Sequence, residues 1–222
     1  MPIYFFGVFR MNNTEIAQAI EPFEEGLSKA FPLAWDNVIR TVPQLGNPTK
    51  IERANCMHRA IRNVLQPICE DFSPILEFVE EPDGQGKDYI IINPKESDSL
   101  ALCWGRHGDG QIRRCPTVRN QYIYDQGLLF PLEDESSSPR ITATIGYDVA
   151  DDFTEGGKPC WWMQRLVLIR ERHRCSEFIK TICYYEKPEV EEIAVDDYNL
   201  QIREKQSRKI KEITDLIRKK IG

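Results

Sequence analysis

LALCWGRHGDGQIRRCPTVRNQYIYDQG (Leu100–Gly127), followed after a polar loop by PRITATIGY (Pro139–Tyr147), is the stretch on which the fold turns. Leu100–Trp104 is an uninterrupted apolar run that predicts a strand. Gly105, Gly108 and Gly110 then break the run, and a basic segment follows with Arg113, Arg114 and Arg119. Tyr122–Tyr124 suits a short strand, and the β-branched Ile141–Gly146 predicts a longer one. Working upstream, Ile75–Val79 and Tyr89–Ile92 flank Pro82-Asp83-Gly84-Gln85-Gly86, a turn signal that makes the pair a hairpin. Downstream, Gln164–Ile169 and Phe178–Tyr185 are further strands. The Gly-rich acidic segment Asp148–Pro159 and the charged Glu171–Cys175 separate them as loops. Together these segments predict an antiparallel meander of about six strands.

The chain before Ile75 has helical spacing. Asn13 or Thr14 offers a cap, and Ile16, Ala19, Ile20 and Phe23 recur three and four apart. Pro22 suits a first helical turn, and Pro32 predicts a break. Phe23, Leu27, Phe31, Trp35, Val38 and Ile39 are the expected inward positions. Thr49–Phe72 is the clearest helix. Thr49 and Glu52 match a capping box, and Ile51, Ala54, Ile61, Leu65, Ile68 and Phe72 form a seam that His58 interrupts. Pro67 is expected to kink or shorten its last turn. At the other end, Leu200–Ile221 predicts an amphipathic helix with Ile202, Ile210, Ile213, Leu216, Ile217 and Ile221 on a narrow stripe. The expected architecture is α+β, with N-terminal helices packed on an antiparallel β-meander and an appended C-terminal amphipathic helix. Residues 1–186 form a single domain (helical part 12–72, sheet part 75–186), and residues 187–222 form a linker and the helix.

Composition narrows the classes. The chain has 222 residues, a net charge of −6 and 29% charged residues, which argues against coating nucleic acid over the whole surface yet leaves room for a local basic patch. Met1–Met11 is apolar, but it lacks a basic leader and is too short to span a bilayer. It predicts a buried strand or a docking segment. Seven cysteines, an odd number with no C-x-x-C pair, point to reduced thiols in a cytoplasmic, non-membrane protein.

Four constellations carry candidate chemistry. From Trp104 to Arg119, four arginines (Arg106, Arg113, Arg114, Arg119) face one acid, Asp109, and Tyr122 and Tyr124 follow on one strand face. Guanidinium forks grip phosphates, phenol rings stack on unpaired bases, and glycines let backbone amides approach an anion. With His107, these residues form the candidate ligand-binding set for nucleic acid or a protein partner. The bland alternative is a solvated hairpin tip. Pro82-Asp83 ahead of Asn93-x-Lys95 has the outline of a Mg²⁺-dependent nuclease, with Asp83, Asp88 and Lys95 as its residues. Against that, Asn93 replaces the second acid, and Asp83 is an ordinary Pro-Asp-Gly turn residue. Cys103, His107 and Cys115 have the residue types of a zinc site, with one tight C-x₃-H spacing and Cys160 or His173 as a fourth ligand. Cys56 and His58 lie two apart on a helix and do not face each other, so His58 reads as a core histidine with a hydrogen-bond partner.

Leu102-Cys103-Trp104-Gly105-Arg106-His107, Cys115-Pro116-Thr117, Gln126 and Gly146-Tyr147 follow one another in an order that resembles an uncharacterised group of bacterial proteins found on prophages and plasmids. That group pairs an N-terminal helical part with a leucine–x–arginine–phenylalanine–lysine–lysine strand, an asparagine–x–x–threonine segment, a glutamine and a glycine–tyrosine strand end. The resemblance covers residues 35–168 and leaves out the C-terminal helix. It implies a mobile-element or defence setting and supplies no mechanism. The expectation is therefore a non-enzymatic binding or regulatory protein, needing no cofactor, that works through the basic loop and the terminal helix. A homo-oligomer through Leu200–Ile221 is a further expectation. The alternative is the Mg²⁺-dependent nuclease.

Overall fold

The computed structural model describes residues 11–41, 50–80, 88–93, 99–108, 111–112, 141–153, 159–172, 175–187 and 198–221. The class is the expected α+β. Helix α1 spans Asn13–Ile20, and a 3₁₀ turn at Glu21–Phe23 leads into α2, Glu24–Thr41. The cap is Asn12 rather than Asn13 or Thr14. Its side-chain oxygen accepts from the Thr14 and Glu15 amides at 2.9 and 3.0 Å, and Glu15 accepts the Asn12 amide at 2.6 Å. This reciprocal pair satisfies amides that a helix start leaves orphaned.

Pro32 does not break the chain as expected: α2 runs through it. A proline has no N–H to give the carbonyl four residues back, which here belongs to Ser28. The Tyr185 hydroxyl donates to that carbonyl at 2.9 Å, replacing the missing backbone bond from outside the helix. Phe23, Leu27, Phe31 and Val38 are buried and Trp35 packs on the core, but Ile39 is exposed, contrary to expectation. Helix α3, Lys50–Asp71, likewise continues past Pro67 and buries Ile61, Leu65 and Ile68. Thr49 of the expected capping box lies outside the described residues.

Seven strands follow among the described residues: β1 Leu76–Val79, β2 Tyr89–Ile92, β3 Leu100–Gly108, β4 Gln111–Ile112, β5 Ile141–Phe153, β6 Pro159–Arg172 and β7 Cys175–Tyr184. The expected hairpin is present, with Leu76 opposite Ile92 and Val79 opposite Tyr89. The spatial order is β1-β2-β3-β5-β6-β7, with β4 pairing only on β3. One junction departs from the meander: β3 and β5 run parallel, Leu102 beside Ala143 and Trp104 beside Ile145. A parallel pair needs a long crossover, and residues 109–140 give the chain length for one. β5 and β6 are also longer than their apolar cores. Their pairing extends to Phe153 opposite Pro159, so much of the expected acidic loop is strand. Tyr122–Tyr124 lies outside the described residues.

Both faces of the sheet are buried in its middle. Ile90, Ile92, Leu102, Trp104, Ile145, Leu166 and Leu168 join the helices in one core. On the opposite face Ala101, Cys103, Val167 and Ile169 are also shielded from solvent. Two-sided burial explains why the strands read as unbroken apolar runs rather than alternating ones.

The C-terminal helix α4, Tyr198–Ile221, is part of this core rather than an appendage. Ile213 and Ile217 are buried in the same cluster as α2, α3 and the sheet. A Cβ at Gly26 of α2 would run into the Ile217 side chain, so glycine there is what admits the helix.

Candidate functional site

Three places collect side chains of chemical interest. The first joins α3 to the sheet. Trp104 of β3 donates its indole N–H to His58 Nδ1 at 3.1 Å, and His58 Nε2 lies 3.0 Å from Asp88 Oδ2. Indole nitrogen only donates, so Nδ1 must accept and the proton sits on Nε2, where it is donated to the carboxylate. The imidazole stacks on the indole with centroids 5.3 Å apart, and the Phe78 ring lies tilted against Trp104 at 6.1 Å. Arg62, one turn along α3, lies 3.7 Å from Asp88 and 2.6 Å from Glu80. With both ring nitrogens engaged, His58 has no lone pair to offer a substrate. It is a clasp between helix and sheet, with the hydrogen-bond partner expected for it, but half-buried at the edge of the core rather than in it.

This arrangement bears on the nuclease residues. Asp88 is 5% exposed, and its described neighbours are His58 and Arg62. Asp83 and Lys95 lie outside the described residues. The sequence held the signal for the clasp, a histidine on an apolar helix seam, but nothing in it named Asp88 and Trp104, 30 and 46 residues away, as the partners.

The second place is the far end of β3. Arg106 is exposed, and its strand position is beside Tyr147 of β5. Burial pushes the Tyr147 hydroxyl up to about 12, with the Arg106 charge opposing the shift. β4 returns antiparallel with Ile112 opposite His107, and the chain leaves the described residues there, at the start of the basic run. Positions 106 and 107 belong to opposite faces of the sheet, since successive strand residues alternate. Arg113, Arg114, Arg119, Tyr122 and Tyr124 lie outside the described residues, as does the side chain of His107.

The zinc reading meets a geometric obstacle. Cys103 and His107 both belong to the extended β3, so their Cα atoms are separated by roughly 13 Å at the usual strand rise. One tetrahedral ion does not reach across that distance. Cys103 is buried with its Sγ 3.0 Å from Thr144 Oγ1, and Cys115 lies outside the described residues.

The third place is the outer face of α4. Lys205, Arg208, Lys211 and Lys219 are exposed and Lys209 is partly so, and none of them pairs with a described acid. Arg218 instead pairs with Asp215 at 2.9 Å and lies over the Phe72 ring, and Lys220 lies 3.7 Å from Glu25. The helix carries eight cations against three acids, a balance of +5, whereas the whole chain carries −6. Everything outside the helix therefore carries −11. Because Ile213 and Ile217 are occupied by the chain's own core, the part of α4 left to meet another molecule is the basic one.

No helix among the described residues is long and apolar enough to cross a membrane. Comparison with protein-family models, with curated proteins and with solved structures finds no match to this chain.

Proposed function

We propose that this chain is a non-enzymatic binding or regulatory protein that contacts nucleic acid, with α4 as the main electrostatic surface and the basic segment after β3 as a second one. The observation that carries the reading is the segregation of charge: five cations, four exposed and one partly so, with no acidic partner among the described residues, on one helix of an otherwise strongly acidic chain. Such a stripe favours phosphate by Coulomb attraction and counterion release, whatever the base sequence. Arg106, Arg113, Arg114 and Arg119, with Tyr122 and Tyr124, add guanidinium and stacking groups suited to an unpaired strand. Trp104 and Asp88 together occupy both ring nitrogens of His58, which leaves this histidine without a free nitrogen to act as a base. A role on a mobile element or in a defence locus, in the cytoplasm, agrees with the resemblance of residues 35–168 and is part of the same proposal.

The test is fluorescence anisotropy with labelled single-stranded DNA, single-stranded RNA and duplex DNA across a salt series. Binding should weaken steeply with salt. Each phosphate contact contributes a slope of roughly 0.7 on single strands and 0.9 on duplex. The variant K205Q/R208Q/K211Q/K219Q should lower that slope by up to three or four contacts, and R106A/R113A/R114A/R119A by a further increment. Absence of binding at low salt, or a slope that neither variant changes, overturns the proposal.

A further inference from the structure

The clasp at His58 sets its two partners against each other. Trp104 is 3% exposed, and its indole N–H reaches His58 Nδ1 at 3.1 Å. An indole nitrogen can only donate, so this contact lasts only while Nδ1 keeps its lone pair and the imidazole is neutral. Asp88, 3.0 Å from Nε2, acts in the other direction, because a carboxylate beside an imidazole favours the charged ring. The Asp88 side chain is 7% exposed, so solvent screens that attraction little. Arg62, 3.7 Å from Asp88, offsets part of it, and Glu80 in turn pairs with Arg62. Among the described residues the charged groups around the ring are therefore Asp88 ahead of β2, Arg62 on α3 itself and Glu80 after β1. From β1, Phe78 brings only an apolar ring, against Trp104, and β3 brings the indole.

We propose that His58 is a proton-operated latch that exchanges one partner for a tighter hold on the other. Neutral, it ties α3 to Asp88 and Trp104 at once. The His58 side chain is 34% exposed, so a proton can enter from solvent. That proton occupies Nδ1 only by displacing the indole, since two N–H groups would otherwise face each other where one hydrogen bond stood. The imidazolium keeps Asp88, now through a charge-assisted bond, and releases Trp104. One proton is taken from water, and one hydrogen bond is lost. The two states differ in what joins α3 to the sheet. The neutral ring holds the middle strand β3, whereas the charged ring holds only the residue before β2. Trp104 stands two positions before Arg106, so the released contact lies on the strand that leads into the basic segment. Histidine changes charge in the range of about pH 5 to 8, where a cell can use the exchange. The latch stands apart from the nucleic-acid reading and is tested without any ligand.

The experiment is NMR on the full chain across that pH range, following the His58 ring and the Trp104 indole N–H. H58Q assigns the His58 signals and is also the control, because its amide offers an acceptor and a donor but does not titrate. The expected result is an indole N–H signal that moves with the His58 titration in the wild type and stays in place in H58Q. The two partners should shift the His58 midpoint in opposite directions. W104F removes the opposing donor and should raise it by about half a unit or more, and D88N removes the favouring charge and should lower it by about a unit. An indole signal that does not follow His58 overturns the proposal, as does a midpoint that W104F leaves in place or lowers. Where W104F fails to fold, the indole signal of the wild type against that of H58Q decides alone.

Discussion

Helices α3 and α4 both carry polar side chains beside an apolar seam, and they use them in opposite ways. On α3, His58 and Arg62 turn toward the sheet, and the two nitrogens of His58 and the carboxylate of Asp88 are all engaged. On α4, the apolar residues turn inward while Lys205, Arg208, Lys211 and Lys219 face solvent with no acidic partner among the described residues. Satisfied polar groups in low dielectric hold elements together, because losing one partner strands the other. Solvent-facing cations contribute little to stability and remain free to attract an outside charge. Equal polarity along a helix therefore says little about role; the surroundings of each group decide it.

The largest expected effect is at the buried side of α4. Ile217→Ala removes a buried branched side chain at the Gly26 contact and should cost about 2–5 kcal/mol of unfolding free energy by denaturant titration. A cost near zero would return α4 to the status of an appendage. The clasp comes next: Asp88→Ala leaves the His58 N–H and part of Arg62 without an acceptor, for an expected loss of about 1–3 kcal/mol.

A pH series sharpens the same point at Tyr147, the register neighbour of Arg106. Its folded pKa of about 12 lies above the ordinary 10.0, so between these values the unfolded chain gives up a proton that the folded chain keeps. The contribution of this group is then whole below pH 10 and is lost as pH rises toward 12, by roughly 3 kcal/mol at about 1.4 kcal/mol per unit. Burial pushes the Cys69 thiol to about 12 as well, so the decline begins near its ordinary value of 9.0. Y147F should flatten the upper part of the curve. The smallest effect belongs to the α4 cations. K205Q/R208Q/K211Q/K219Q should change stability by less than about 0.5 kcal/mol, because exposed charges away from partners contribute little. A large loss would mean that these cations serve the fold, and the contrast with α3 would disappear.

Some features were legible in the sequence because their causes are local. Helical spacing found α2, α3 and α4, and turn residues found the β1–β2 hairpin. The hydrogen-bond partner expected for His58 is there, but the ring lies half-buried at the edge of the core rather than in it. Other features depend on distant residues. Pro32 reads as a helix breaker until Tyr185 supplies the donor it lacks. Ile39 shares the inward spacing of its neighbours, yet nothing covers it enough to bury it. Two bulges against β6 put Thr181 on the same face as Phe178 and Tyr184, which period-two spacing alone would not.

The sequence by itself determined the α+β class, the order of the elements and the concentration of positive charge in the last helix, since periodicity, turn chemistry and composition act over a few residues. Tertiary structure alone decided the parallel β3–β5 junction, the partners of His58, the entry of α4 into the core and which cations face solvent. Each of these depends on contacts between segments far apart in the chain, and no local pattern specifies which surfaces meet.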